Sequence, residues 1–210
     1  MPGIQDDWDA CLQTLEDHSS CVKSVVFSHD SSQLASASFV EVKIWDAISG
    51  QCLQTLEAHD HINSVTFSHD SKQVATVSAD GTVRIWNVIN GKCLHTLEWP
   101  ASLGAQHAQW GSINFSRNSA QLVSTHLSKL ALWDVSNDKC PKILEGHNDN
   151  IMSVSFSDDS NRLASVSKDG SVKTWDADSG KCLKTHCLKT HCLKTHELNV
   201  PFQSAAFFKT

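Results

Sequence analysis

Apolar and polar residues alternate along this chain in short runs, and no long amphipathic stretch occurs. Runs of about five residues, such as those at 65–67, 74–78, 83–86 and 93–97, are separated by turn-forming pairs such as Asp80-Gly81. Side chains two residues apart lie on the same face of a strand, so each run predicts a β-strand with one apolar face. Tight Asp-Gly and Asn-Gly turns join neighbouring strands as hairpins. This stretch therefore predicts four consecutive antiparallel strands.

The same pattern recurs along most of the chain. The same short motif ends in a tryptophan four times, and these tryptophans are spaced 41, 47 and 42 residues apart: Trp45, Trp86, Trp133 and Trp175. An earlier phrase in each repeat centres on Phe27, Phe67, Phe115 and Phe156. A four-stranded antiparallel unit repeated at this period is typical of propeller blades.

The predicted fold is therefore an all-β propeller that occupies residues 1–210 as one repeat domain. We expect four complete four-stranded blades at about 21–57, 62–97, 107–144 and 150–186. Residues 8–15 resemble the end of a third strand followed by a fourth strand, and residues 198–208 resemble a first strand, which would make a further, partial blade. The propeller is thus predicted to be incomplete or truncated, and open propeller edges invite self-association.

Composition narrows the functional classes. The formal net charge is −6, which argues against nucleic acid as a main partner. No apolar run approaches the roughly 20 residues of a membrane span. The first ten residues are acidic and lack the apolar core of a secretory signal, so we expect a cytoplasmic protein with reduced thiols.

Three motifs carry a resemblance to a known family. One repeat contains Gly146-His147, Asp169-Gly170 and Trp175-Asp176, and another contains Asp80-Gly81 and Trp86-Asn87. These residues resemble the WD40-repeat family. The wording FSHDSKQ and SGQCLQTLE is most similar to the WD arrays of fungal NOD-like receptors of the vegetative-incompatibility type. Similar stretches occur in WD-repeat adaptors of mitochondrial division.

The resemblance implies a hydrogen-bonded set of four side chains in each blade. A buried Trp needs an acceptor for its N–H, a hydroxyl can accept that bond and donate to His, and Asp can orient the other imidazole nitrogen. Ser78 and Ser167 are alternatives for the hydroxyl position. We interpret the sets as structural rather than as catalytic Ser-His-Asp triads, and the expected members are His59, Thr76, Asp80, Trp86, His147, Ser165, Asp169 and Trp175.

Two repeats depart from the pattern. Residues 39–41 and 126–128 stand where Asp-Gly is expected, and each connection is one residue shorter. Because each has lost the turn aspartate, we expect these two blades to be held together less tightly.

The function implied by the resemblance is a non-catalytic scaffold that binds proteins or peptides through loops on one propeller face. An insertion at 99–106 presents Trp99, which either anchors a partner or folds back over the blade edge. Family contact positions also include Cys21, Ala79 and Gly111. The candidate partner-binding residues are Lys23, Phe39, His61, Asn63, Trp99, Gln109, Leu127, Asn150, Met152 and Lys168.

The cysteines and histidines raise an alternative. Residues 182–196 are the pentapeptide CLKTH three times over, and short Cys/His tracts can bind zinc. A five-residue step alternates strand faces, so tandem duplication of an outer strand explains the tract better. We predict no metal, no cofactor and no enzymatic activity. A zinc-binding protein is the least favoured alternative, after a recognition array of a fungal immune receptor and an adaptor in mitochondrial division.

Overall fold

A computed structural model describes residues 13–57, 61–100, 111–136 and 141–187 of the chain. All regular structure in these residues is β, in sixteen strands. They form four antiparallel sheets of four strands, and in each sheet consecutive strands are neighbours. The prediction of an all-β fold with four four-stranded blades is confirmed.

The blades follow one another along the chain. Blade 1 contains β1 (Ser24–Phe27), β2 (Gln33–Ala37), β3 (Glu41–Asp46) and β4 (Cys52–Glu57), and blade 2 contains β5 (Ile62–Phe67), β6 (Gln73–Ser78), β7 (Val83–Asn87) and β8 (Cys93–Leu97). Blade 3 contains β9 (Ile113–Phe115), β10 (Gln121–His126), β11 (Lys129–Asp134) and β12 (Lys142–Leu144). Blade 4 contains β13 (Ile151–Phe156), β14 (Arg162–Ser167), β15 (Ser171–Asp176) and β16 (Cys182–Cys187).

The core lies between successive blades rather than within one sheet. The first strands β1, β5, β9 and β13 contact each other in that order, so they form the inner side of the array. Three apolar clusters fill the three blade junctions, and each combines one face of a blade with the opposite face of the next. At the first junction Ile44 and Leu56 of blade 1 pack with Phe67 and Trp86 of blade 2.

The turn between the first two strands of each blade is built by a short polar motif. In blade 1 the Ser28 hydroxyl donates to Asp30 at 2.6 Å, and Asp30 also accepts the Ser32 backbone N–H at 3.0 Å. Ser31 adopts a positive φ of 60° in this turn. The same geometry recurs in blades 2, 3 and 4 at Ser68, Ser116 and Ser157.

Residues 13–20 precede blade 1 and belong to no strand. They lie against blade 1, where the Gln13 side chain donates to the Ser49 carbonyl at 2.9 Å. Gln54 of blade 1 makes a similar contact with blade 2, donating to the Ile89 carbonyl at 3.0 Å, one repeat position earlier than Ser49. Most of the predicted strand 8–15, and all of 198–208, lie outside the described residues.

A search of the described residues for a helix that could cross a membrane finds none that is both long and apolar enough.

Candidate functional site

Blade 4 contains a chain of hydrogen bonds that begins at its tryptophan. The Trp175 indole N–H donates to the Ser165 hydroxyl oxygen at 2.9 Å, and that oxygen lies 2.7 Å from His147 Nε2. His147 Nδ1 lies 3.1 Å from Asp169 Oδ2 and 3.0 Å from the Ser171 hydroxyl. The geometry assigns a proton to Nδ1 and makes Nε2 the acceptor for the Ser165 O–H. The structure thus brings together His147, Ser165, Asp169 and Trp175.

The charge state of this chain follows from its burial. Burial lowers the pKa of His147, and this outweighs the hydrogen bond and charge of Asp169, so the imidazole is neutral. Burial also opposes ionisation of Asp169, but hydrogen bonds from Ser171 and from the Asn148 N–H hold its pKa well below its usual value. Ser165 is fully buried and already accepts the Trp175 N–H. The buried position of this hydroxyl agrees with the prediction of a structural set rather than a catalytic triad.

Blade 1 has the same network with a different acid. The Trp45 N–H donates to the Ser36 hydroxyl oxygen at 2.7 Å, and that oxygen lies 2.5 Å from His18 Nε2. His18 Nδ1 contacts Glu41 Oε1 at 3.2 Å, and the same oxygen accepts the Ser19 backbone N–H at 3.0 Å. The hydrogen bond from Ser19 lowers the pKa of Glu41, with a smaller contribution from His18.

Glu41 therefore replaces the turn aspartate that residues 39–41 lack. The expectation of a looser blade 1 rests on the absence of Asp-Gly at its usual position and does not include this acid. Glu41 opens β3, one residue before Val42, as Ser171 does before Val172 in blade 4. Its longer side chain reaches the histidine from that later position. The signal was present in the sequence as a carboxylate within two residues of the shortened turn.

Blade 2 shows only part of its predicted set. The Trp86 N–H donates to the Thr76 hydroxyl at 3.2 Å, so Thr76 rather than Ser78 lies next to the indole. Asp80 accepts the Thr82 backbone N–H at 2.8 Å and also the Ser78 hydroxyl. His59 lies outside the described residues.

In blade 3 a tryptophan lies beside the blade tryptophan, as a histidine does in blades 1 and 4. The Trp133 N–H donates to Ser124 at 2.8 Å. The Trp99 ring packs edge-on against Trp133 with centroids 6.3 Å apart, close to the 6.1 Å between His147 and Trp175. Trp99 also packs on the core cluster between blades 2 and 3. Gly81, at φ +86°, leaves room for it, since a Cβ there would lie 3.2 Å from its Cδ1.

Of the two interpretations of Trp99, the structure therefore shows the second: the ring folds back over the blade edge. The ring is half-buried there, and a role of Trp99 in binding a partner stays a prediction. The rings of Trp99 and His126 lie 5.4 Å apart, so residues from two blades meet around it.

Most of the other candidate contact residues lie at one end of the sheets, which we call the upper face. It is formed by the loops before β5 and β13, the segment before β1, and the turns after β2, β6, β10 and β14. The Ala79 N–H donates to the His61 carbonyl at 2.8 Å, and the Lys168 N–H donates to the Asn150 carbonyl at 2.9 Å. The Ile151 N–H donates to the carbonyl of Leu127 in blade 3 at 2.8 Å, which links two blades. Asn63 and Met152 are half-buried, and Gln109 lies outside the described residues.

Three of these candidates form a cluster where blades 1 and 2 meet. The Lys23 ammonium lies 4.6 Å from the centroid of the Phe39 ring. The Phe39 and His61 rings are 5.0 Å apart in an edge-on arrangement. The Phe39 carbonyl accepts the Ile62 N–H at 3.1 Å, which fixes the shortened turn against blade 2. Lys23 and His61 are exposed and Phe39 is half-buried, so the cluster presents aromatic and cationic groups to solvent.

The described cysteines Cys21, Cys52, Cys93, Cys182 and Cys187 are free thiols. Of the cysteines and histidines in the CLKTH tract, Cys182, His186 and Cys187 are described, and all three are exposed on β16. Within the described residues, no group of three or more potential metal ligands converges.

Comparison with known sequences agrees with this architecture. The family model "WD domain, G-beta repeat" matches residues 9–39, 50–87 and 138–176, which is about half of the chain. The sequence is 31% identical over 177 residues to the transcriptional corepressor LEUNIG_HOMOLOG of Arabidopsis thaliana, which covers 81% of the chain and 21% of that protein. It is 34% identical over 181 residues to the nuclear distribution protein PAC1 of Arthroderma benhamiae, covering 81% of the chain and 30% of PAC1.

A shorter similarity reaches a higher identity. The vegetative incompatibility protein HET-E-1 of Podospora anserina is 50% identical over 48 residues, which is 22% of the chain and 4% of that protein. The chain thus spans less than a third of the length of each of these relatives.

Proposed function

Since the chain belongs to the WD40 repeat family, we propose that it is a non-catalytic scaffold that binds proteins or peptides through its upper face. The cluster of Lys23, Phe39 and His61 carries this proposal. Its members come from three separate chain segments and meet at one blade junction.

The chemistry of the cluster favours a particular kind of peptide. An aromatic ring flanked by an ammonium group and an imidazole suits a segment with a carboxylate next to an apolar side chain. The Lys23 ammonium is exposed beside the ring, where it can meet a carboxylate of a partner. The rigid blade junction beneath the cluster supports binding, since little ordering is needed when a partner docks.

Selection from a phage-displayed peptide library tests this proposal. We expect enrichment of peptides that pair Asp or Glu with an apolar residue. Lys23→Ala combined with Phe39→Ala should weaken their binding by about tenfold or more in a fluorescence anisotropy titration. Lys72→Ala is the matched control, because Lys72 lies in the turn at the opposite end of blade 2.

Single variants then separate the cluster from the rest of the upper face. His61→Ala should weaken binding, whereas Asn150→Ala in blade 4 reports whether the contact extends across the array. Failure to select any peptide, or unchanged binding in the Lys23 and Phe39 variant, would contradict the proposal.

The similarity to HET-E-1 favours a more specific second candidate, a recognition array of a fungal innate-immunity receptor acting in the cytoplasm. This candidate predicts that the complete gene encodes a nucleotide-binding domain before the repeats. The sequence of the full genomic locus decides it, and a coiled-coil segment there instead would favour an adaptor of mitochondrial division.

A further inference from the structure

The outer face of blade 1 exposes three apolar side chains that other blades bury. Val22, Val25 and Phe27 are 47%, 52% and 61% exposed. The residues at the same positions in blades 2 and 4 are at most 7% exposed, and they are Ile62, Val65, Phe67, Ile151, Val154 and Phe156. This stripe, which we call the blade 1 face, is thus built like a buried junction but has no blade against it among the described residues.

The far face of blade 4 is the counterpart that such a junction uses. Ala164, Val166 and Val172 continue the apolar pattern on its inner half. The outer half is different, because Thr174 stands where the other blades have Ile44, Ile85 and Leu132. His186, opposite Val172, likewise stands where they have Leu56, Leu97 and Leu144. The apolar inner half of this face can pack directly against another blade. The outer half, with Thr174 and His186, lacks the apolar side chains that the other junctions use.

A duplicated hexapeptide supplies the missing leucine. The sequence CLQTLE occurs at 52–57, where it forms β4, and again at 11–16. At 11–16 the described residues 13–16 belong to no strand, yet the Gln13 side chain lies against the turn at Ser49 and Gly50 much as that of Gln54 in β4 lies against the turn at Ile89 and Gly91. Leu15 corresponds to Leu56. Residues 13–16 thus lie where the outer strand of a preceding blade would end.

We propose that two copies of the chain associate head to tail, with the far face of blade 4 in one copy covering the blade 1 face of the other. In this arrangement residues 13–15 of the second copy pair with β15 of the first in place of β16. Leu15 then occupies the position of His186. The far face of blade 4 in the second copy covers the blade 1 face of the first copy in the same way. The two junctions are equivalent, so the pair closes into a ring of eight blades, within the usual range for propellers.

The internal junctions show which hydrogen bonds would form. At the first junction the Val65 N–H donates to the Ser24 hydroxyl at 3.3 Å and the Ile62 N–H donates to the Phe39 carbonyl. The third junction repeats both bonds, with Ser112 and Leu127 as acceptors. Blade 4 has Ser153 and the Lys168 carbonyl at these positions, and the matching donors in the second copy are the N–H groups of Val25 and Val22.

This arrangement requires β16 to leave β15. Residues 13–15 of the second copy would pair with the same residues of β15 that now pair with residues 184–186. All six side chains of β16 are exposed. Its contacts with β15 are backbone pairing and a bond from the Lys173 amine to the Thr185 hydroxyl at 2.9 Å. The strand can leave without uncovering a buried apolar side chain of its own.

Light scattering after size-exclusion chromatography of the full 210-residue chain tests the proposal. We expect a mass of about twice the 23.1 kDa chain mass. Phe27→Asp should shift the chain to a monomer, with a dissociation constant raised about 100-fold or more. Ile89→Asp is the matched control, since Ile89 is 79% exposed away from the blade 1 face and this variant should remain dimeric.

A second variant separates this arrangement from a dimer in which two blade 1 faces meet. Val166→Asp should also give monomers, and a mixture of the Phe27→Asp and Val166→Asp chains should form a heterodimer through one intact junction. A monomeric parent chain overturns the proposal, and so does a dimer that Val166→Asp leaves unchanged. Peptide binding at Lys23 and Phe39 does not depend on the outcome, so failure of one proposal is distinguishable from failure of the other.

Discussion

Blades 1 and 4 contain the same tryptophan–serine–histidine–carboxylate network but use different acids. Each places a tryptophan N–H on a buried serine, a histidine on that serine, and a carboxylate on the histidine. Blade 4 takes the carboxylate from the aspartate of a tight turn, whereas blade 1 takes it from a glutamate at the start of a strand. The shorter turn of blade 1 is matched by the longer acid.

The comparison shows that the network depends on where a carboxylate oxygen lies relative to the histidine. It does not depend on the Asp-Gly turn as such. Blade 3 shows a third arrangement, in which the Trp99 ring lies beside the blade tryptophan where blades 1 and 4 have a histidine. Such a ring adds apolar contact, whereas the histidine passes on a hydrogen bond.

The largest expected effect comes from removing the tryptophan at the centre of either network. Trp175→Ala and Trp45→Ala should each lower the free energy of unfolding by about 3–5 kcal/mol, because both rings are almost completely buried. Urea unfolding followed by circular dichroism measures both. A cost for Trp45→Ala far below that of Trp175→Ala would show that blade 1 is the looser blade after all.

The next effect concerns the shared serine. Ser165→Ala and Ser36→Ala each leave an indole N–H and an imidazole nitrogen without their buried partner, which should cost about 1–3 kcal/mol. Ser179→Ala is the control, because Ser179 bonds to Asp176 in an exposed turn. Equal losses in all three variants would mean that the buried networks contribute nothing particular to stability.

A smaller effect tests the equivalence of the two acids. Glu41→Ala should cost about 1–2 kcal/mol, since His18 and the Ser19 N–H lose their acceptor. Glu41→Asp should recover little, because its carboxylate is one methylene short of the histidine. Glu41→Gln keeps an acceptor oxygen and should recover more, and thermal unfolding of the three variants measures the order. Full recovery by Asp would show that length is not what matches the shortened turn.

The smallest effect is a dependence on pH. The pKa of His147 is lowered by burial from its ordinary value of 6.5, so the unfolded chain takes up a proton more readily than the folded one. Stability should therefore fall as pH drops below about 6.5, and His147→Asn should reduce this slope. His29→Asn is the companion variant, since burial and then the nearby His69 and Arg117 lower the pKa of His29. Unfolding midpoints between pH 5 and pH 8 measure the pH dependence of stability. An unchanged slope in the His147 variant would contradict the lowered pKa of His147.

Much of the fold could be predicted because each blade is made by neighbours in the sequence. Consecutive strands pair within a few residues of each other, so alternation and turn residues are enough to place them. The pairing of Trp175 with Ser165 follows from the same local register, since Leu163 lies opposite Trp175. Predictions based on residues in adjacent strands therefore agree with the structure.

Predictions that depended on neighbouring blades were less accurate. The repeat spacing does not point to Glu41, because it stands two positions later than the aspartate of an intact turn and reaches His18 only through its longer side chain. The Trp99 ring packs between two blades on Trp133. The packing of Trp99 leaves no signal in the spacing of one repeat, whereas Glu41 is visible as a carboxylate at the shortened turn.

Local alternation and turn residues are enough to predict the all-β class, the four-stranded unit and its repetition. The acid that completes a network, the packing of Trp99, and the exposure of Phe27 where Phe67 and Phe156 are buried are seen only in the folded chain. These three phenylalanines occupy the same position in their repeats. Whether that position is buried depends on a second blade lying against it, and the residues of one repeat do not specify which blade lies beside it.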